Sequence, residues 1–156
     1  METNKEKSFN NKLKFELRSK NRYNKDDPII INFTLYNLTN EGLRVLARYT
    51  PLENLQGDIF HVICEGKKIQ YGGIMVKRGP PTEKEYMYIE PGRSISREIN
   101  ISSAYKLPTS QECVVHFIGD KINYISGSGD LSPKNAGEYQ TADITGNSVS
   151  FRIEEK

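Results

Sequence analysis

The sequence predicts an all-β domain, a two-sheet sandwich of about seven to nine short strands. Three observations point there. Apolar residues recur with period two, and helical spacing is nearly absent; the alternating runs are short; and turn signals rich in Gly, Pro, Asn and Asp separate them. An up-and-down barrel is the structural alternative. The 156 residues suit one domain with a real core, and no internal repeat or mid-chain linker suggests a second. Residues 1–11, METNKEKSFNN, read as a flexible polar tail and residues 12–156 as a single sandwich domain.

The elements follow in order. In KLKFELR, Leu13, Phe15 and Leu17 share one face, and Lys14, Glu16 and Arg18 the other. In PIIINFTLYN, Ile29, Ile31, Phe33 and Leu35 point inward, while Pro28 suits a strand start because it has no N–H to give a ladder. LRVLAR, Leu43 to Arg48, follows the turn Asn40-Glu41-Gly42. DIFHVICEG puts Phe60, Val62 and Cys64 in phase and turns at Glu65-Gly66-Lys67 into KKIQY. A Gly- and Pro-rich crossing, GGIMVKRGPPTE, leads to two short strands joined by Glu90-Pro91-Gly92-Arg93. SSAYKL, Ser102 to Leu107, suits one helical turn. ECVVHFI aligns Cys113, Val115 and Phe117. The pattern then loosens into a surface loop over 127–140, and SVSFRIE closes with Val149, Phe151 and Ile153 inward.

Charge excludes several partners. Lys plus Arg number 22 and Asp plus Glu 20, a formal +2, with the basic residues spread along the chain. Nucleic-acid binding and membrane insertion gain no support. The first eleven residues lack the apolar core of a secretory signal, which favours the cytoplasm, with a processed secreted form as the alternative. Asn-x-Ser/Thr matches begin at Asn32, Asn37 and Asn100, and carry little weight in an Asn-rich chain. Nine tyrosines invite a stacking platform, for which Tyr86 and Tyr88 share a strand face, although either also suits the core.

The landmarks YTPLENLQGDIF, a Gly-centred hairpin, GIMVKRGPPT, a Tyr-bearing strand, EPGRSIS and INISSAYKL stand in an order and spacing that matter together. Over roughly Leu13 to Ile118 the chain resembles the amino-terminal β-domain that precedes the catalytic domain in deuterolysin-like and peptidyl-Lys zinc metalloendopeptidases. The resemblance implies an immunoglobulin-like antiparallel β-sandwich. It does not carry proteolysis with it. Such enzymes need two histidines one helical turn apart, with a glutamate beside the first to act on zinc-bound water. This chain has His61 and His116, 55 positions apart, neither followed by Glu and each in an expected strand. The segment after Ile118 is too short for a catalytic domain.

Other chemistries fare no better. Cys64 or Cys113 with either histidine would make a nucleophilic pair, but both cysteines alternate in phase with apolar neighbours. Two buried thiols are therefore the default, with a disulfide between them if their strands face each other across the sandwich. His61 and His116 fall on the opposite phase and could line one outer sheet surface, yet two ligands do not complete a tetrahedral zinc centre. No metal and no cofactor is expected. Ser128, in SGSGD, lacks the context of a nucleophile elbow or a phosphate-binding loop.

Binding features are better placed. Lys77 and Arg78 stand beside the rigid turn Gly79-Pro80-Pro81, and Arg48 and Tyr49 precede Pro51. These four residues form the candidate recognition surface, because cations and an aromatic on restrained turns lose little entropy on binding. Their competing role is structural, through pairing with nearby acids. The expectation is a non-catalytic protein-recognition module with a protein partner. A β-sandwich protease inhibitor is the first alternative, and a hydrolase with a dispersed Cys/His site the second.

Overall fold

The computed structural model describes residues 12–77, 79–126 and 140–155. The expected tail, Arg78 and the loop at 127–139 lie outside the described residues. Among those described, twelve strands form two sheets: β1 (Leu13–Arg18), β2 (Arg22–Asn24), β3 (Ile30–Asn37), β4 (Leu43–Leu46), β5 (Phe60–Cys64), β6 (Lys67–Lys68), β7 (Tyr86–Ile89), β8 (Ser94–Asn100), β9 (Glu112–Phe117), β10 (Lys121–Ser126), β11 (Gln140–Thr145) and β12 (Val149–Glu154). One sheet has the order β7-β4-β10-β11-β1-β3-β8 and the other β2-β12-β9-β5-β6. The all-β sandwich is the fold the alternation predicts. Its pairing is antiparallel except where β1 meets β11 and β12 meets β2.

The strand count exceeds the expectation for identifiable reasons. β2 and β6 are three and two residues long, too short for alternation to register. β10 and β11 each bury two side chains, Ile122 with Tyr124 and Ala142 with Ile144, between polar neighbours. The turn expected over Ser102 to Leu107 comes earlier, as a 3-10 turn at Ile101–Ser103, because the Asn100 Oδ1 accepts from the Ser102 N–H at 3.1 Å and caps it.

Period-two burial makes the core. Phe15 and Phe33 from the larger sheet meet Phe117 from the smaller at centroid distances of 5.3 and 5.5 Å, both edge-on, and Phe60 adds a further contact at 6.1 Å. These rings, with Val62, Val115 and Phe151, are fully buried as their phase predicts. The chain passes between sheets after β11, where Gly146 lies so close to β1 that an added Cβ would collide with the Phe15 backbone and ring. Asn147 then imitates a strand residue: its Oδ1 accepts from the Leu17 N–H at 2.7 Å and its Nδ2 donates to the Leu17 carbonyl at 2.9 Å.

β7 and β8 are the two edges of the larger sheet, yet the turn at residues 90–93 is all that separates them in sequence. A flat sheet would hold edges six strand spacings apart, about 29 Å, whereas five Cα steps reach at most about 19 Å. The sheet must curl until its edges converge. Asn37, at the end of β3 and 1% exposed, seals the junction. Its Nδ2 donates to the carbonyls of Glu41, Ile89 and Glu90 at 2.9, 3.0 and 3.2 Å, and its backbone N–H donates to Arg93 O at 2.9 Å. The Asn37 Oδ1 accepts from the Thr39 hydroxyl at 2.7 Å. Similar local bonds occupy the other two Asn-x-Ser/Thr matches, Thr34 to Asn32 at 3.1 Å and Ser102 to Asn100 at 2.6 Å.

Cys64 and Cys113 form a disulfide, which corrects the expectation of two thiols. They sit directly opposite each other on neighbouring strands of one sheet, β5 and β9, with Cα atoms 4.0 Å apart, rather than across the sandwich. In-register partners at this kind of site bring Cβ atoms into bonding range. The link closes a loop with a sequence separation of 49. In the chain-entropy picture it stabilises by about 4 kcal/mol. Replacing both cysteines by Ala should lower unfolding free energy by about 2 to 4 kcal/mol in urea, and thiol titration of the unfolded, unreduced wild type should find no free sulfhydryl. A full complement of two free thiols contradicts the pairing.

Candidate functional site

The site begins where β4 ends. Ala47 donates its N–H to Glu85 O at 2.8 Å, and Thr50, buried, donates its hydroxyl to Ala47 O at 2.6 Å and accepts the Leu52 N–H at 3.1 Å. Thr50 thereby caps the 3-10 turn Pro51–Glu53, whose Pro51 and Leu52 are buried. Between these anchors Tyr49 adopts a left-handed backbone, φ 64°, an uncommon state for a residue with a Cβ. Its N–H donates to the Glu53 carboxylate at 2.7 Å. The consequence is outward projection: Tyr49 is 61% exposed. It borders a 200 Å³ recess lined also by Gly119, Asp120 and Lys121.

Arg48 turns the other way. Its side chain is 10% exposed and forms a bidentate pair with Glu85, Nε to Oε1 at 2.7 Å and Nη2 to Oε2 at 2.9 Å. Its Nη1 donates to the Gly79 carbonyl at 2.7 Å. Glu85 also accepts the Thr82 N–H at 3.1 Å, organising the 3-10 turn Glu83–Glu85. A planar guanidinium matches a carboxylate and a carbonyl at once, which an ammonium would not. Arg48 thus ties the Gly-Pro-Pro crossing to the sheet edge.

The crossing is held at further points. Tyr71 bridges Tyr105, and Gly72 donates to Ala104 O at 2.7 Å. The Tyr71 hydroxyl bonds the Ile74 carbonyl. A Cβ on Gly73 would overlap both the Tyr71 ring and the Ala104 methyl, so this approach requires glycine. Val76 donates to Gln56 O at 3.2 Å. Between these ties Ile74, Met75 and Val76 are 60, 72 and 40% exposed, and Lys77 is exposed beside them. Three consecutive exposed apolar side chains on a braced backbone are the strongest surface signal in the described chain.

Beneath the loop, Tyr105 is buried and donates its hydroxyl to the Asp58 carboxylate at 2.9 Å. Burial, then that bond, pushes its ionisation well above the ordinary tyrosine value of 10.0. A raised acid favours its neutral form in the fold, so this contribution is complete at neutral pH and fades as pH rises past the unfolded value of about 10.

Of the four sequence candidates, Arg48 is tied to the crossing through Gly79, Tyr49 projects from the adjoining turn, and Lys77 is exposed on the crossing itself. Arg78 lies outside the described residues. The sequence reading missed Ile74, Met75 and Val76, whose signal was three successive apolar residues in a segment with no alternation. Tyr86 and Tyr88 do not form an exposed pair: Tyr86 is buried, and Tyr88 packs over Gly42 with the Arg44 guanidinium 5.1 Å from its ring centroid. The disulfide leaves Cys64 and Cys113 no thiolate for nucleophilic chemistry. Two grooves of 630 and 650 Å³ are lined by neither histidine. Among the described residues no three or more His, Cys, Asp or Glu gather as a metal site, and no helix is long and apolar enough to cross a membrane.

The chain is similar to an extracellular protease of Aeromonas hydrophila, 24% identical over 92 residues. The match covers 59% of this chain and 26% of that protein, so the chain spans about a quarter of its relative's length. No protein-family model matches the sequence.

The geometry separates structural from surface roles. Arg48→Ala or Glu85→Gln should cost about 1 to 3 kcal/mol, because each leaves a half-buried charged partner unmatched. Lys77→Ala should stay within about 0.5 kcal/mol of wild type. Urea melts decide, and equal effects at Arg48 and Lys77 would contradict the assignment.

Proposed function

We propose that this chain is a non-catalytic protein-recognition module, related to the accessory β-domain of zinc metalloendopeptidases, that engages a protein partner through the loop at 74–77, with the exposed Tyr49 as a further contact. The observation that carries this reading is the exposure of Ile74, Met75 and Val76 on a backbone fixed by Tyr71, Gln56 and Arg48. Burying those side chains against a partner gains hydrophobic free energy, and the fixed backbone has little entropy left to lose. Lys77, and Arg78 next to it in sequence, add positive charge at the loop's end. Arg48 serves as the positioning residue.

The partial similarity to an extracellular protease supports a protease-associated setting. The disulfide supports an oxidising compartment, and with it the secreted alternative over the cytoplasmic one. Non-catalysis is favoured because the sulfurs are bonded together and the histidines line neither the 630 Å³ nor the 650 Å³ groove. The inhibitor reading rests on the same braced loop, which has the form of a segment offered to a cleft.

Affinity purification from the source cells, comparing wild type with a Met75→Asp/Lys77→Ala variant of matched stability, tests the proposal. Recovery of the principal partner should fall about tenfold or more, the range expected when a central anchor is lost. Equal recovery removes the loop as the binding site. If the partner is a protease, stoichiometric loss of its activity on adding wild-type chain selects inhibition, and unchanged activity selects accessory recognition.

A further inference from the structure

The pairing of β5 with β9 sets His61 directly opposite His116. Their neighbours Phe60, Val62, Val115 and Phe117 are buried, so alternation sends both imidazoles out of the opposite face, where both histidines are exposed. They are the chain's two histidines. Directly opposed residues on antiparallel strands hold their Cβ atoms about 4.5 to 5.5 Å apart. That spacing lets two imidazole nitrogens converge on one ion at the usual distance of about 2.0 to 2.1 Å each.

A third strand prepares one ligand. His116 Nδ1 lies 3.2 Å from the Ser148 hydroxyl, just before β12. When that oxygen accepts from Nδ1–H, the tautomer is fixed with the Nε2 lone pair free, the arrangement in which a neighbouring oxygen orients a metal-binding imidazole. The residues flanking the pair on β5, β9 and β12, Ile63, Val114 and Ser150, carry no charge, and Lys68, the cation opposite Ile63, stands on β6, beyond β5 from His116. Ile118, two residues along β9 from His116, is apolar and half-exposed.

We propose that His61 and His116 form a two-imidazole site for an exchangeable late first-row divalent ion, taking copper(II) most strongly and nickel(II) and zinc(II) less. Imidazole selects these ions over calcium or magnesium, and the order follows their general ranking with nitrogen ligands. With no third ligand gathered among the described residues, water fills the remaining positions. The site therefore differs from a closed structural zinc centre.

Titration calorimetry of the purified full chain with copper(II) chloride and with nickel(II) chloride, alongside calcium chloride, tests the assignment. One copper or nickel ion should bind per chain and calcium should not. His61→Asn and His116→Asn should each weaken binding about tenfold or more, since each removes half the ligand set. The double variant should lose the isotherm while melting like wild type, as exposed positions do. Wild-type affinity in either single variant, or an isotherm that survives in the double variant, overturns the site.

Discussion

A turn of four residues joins strands that occupy opposite edges of a seven-stranded sheet, and no flat arrangement satisfies that span. The curl that results brings the end of β3 against the end of β7, where a side chain must serve several carbonyls turned inward at once. Asn37 does so with one amide, and its own carbonyl oxygen is met by Thr39. A buried amide satisfied this fully stabilises one arrangement over its alternatives, because any shift strands acceptors away from water. The four phenylalanines then fill the space between the curled sheet and the smaller one.

The same closure positions the candidate site. β4 and β7 form the edge that the curl carries round, and they deliver Arg48 and Glu85 to adjoining positions. That pair fixes Gly79, and with Gln56 and Tyr71 it leaves the loop little freedom except in its side chains. A segment of three apolar residues would ordinarily fold back onto the core. Here the backbone ties prevent it, so the apolar groups stay in water, and the proposed partner contact rests on that exposure. The opposite demand governs the outer face of the smaller sheet, where strand register alone places two imidazoles side by side.

Much of the fold was legible because alternation reports burial directly. Leu13 to Leu17, Ile31 to Leu35, and Val62 with Val115 and Phe117 read inward and are inward. β10 and β11 escaped notice because Ala142 and paired polar residues dilute the period. Pairing partners were not legible at all: the disulfide, the opposed histidines and the meeting of β7 with β3 depend on register and topology, which a single strand's pattern does not encode. At the candidate site, the turn chemistry of Pro51, Pro80 and Pro81 located the region. Sequence could not divide Arg48, turned inward to Glu85, from Tyr49, turned outward by its positive φ, since both belong to one turn.

Amide hydrogen exchange, read by mass spectrometry on wild type and Asn37→Ala under native conditions, bears most directly on sheet closure as the organising constraint. Faster exchange should appear together in β7, in β8 and in the loop at 72–77, although those segments are far from residue 37 in sequence. Exchange that rises at residues 37–41 alone would mean that the edges are held independently of Asn37, and would contradict the account.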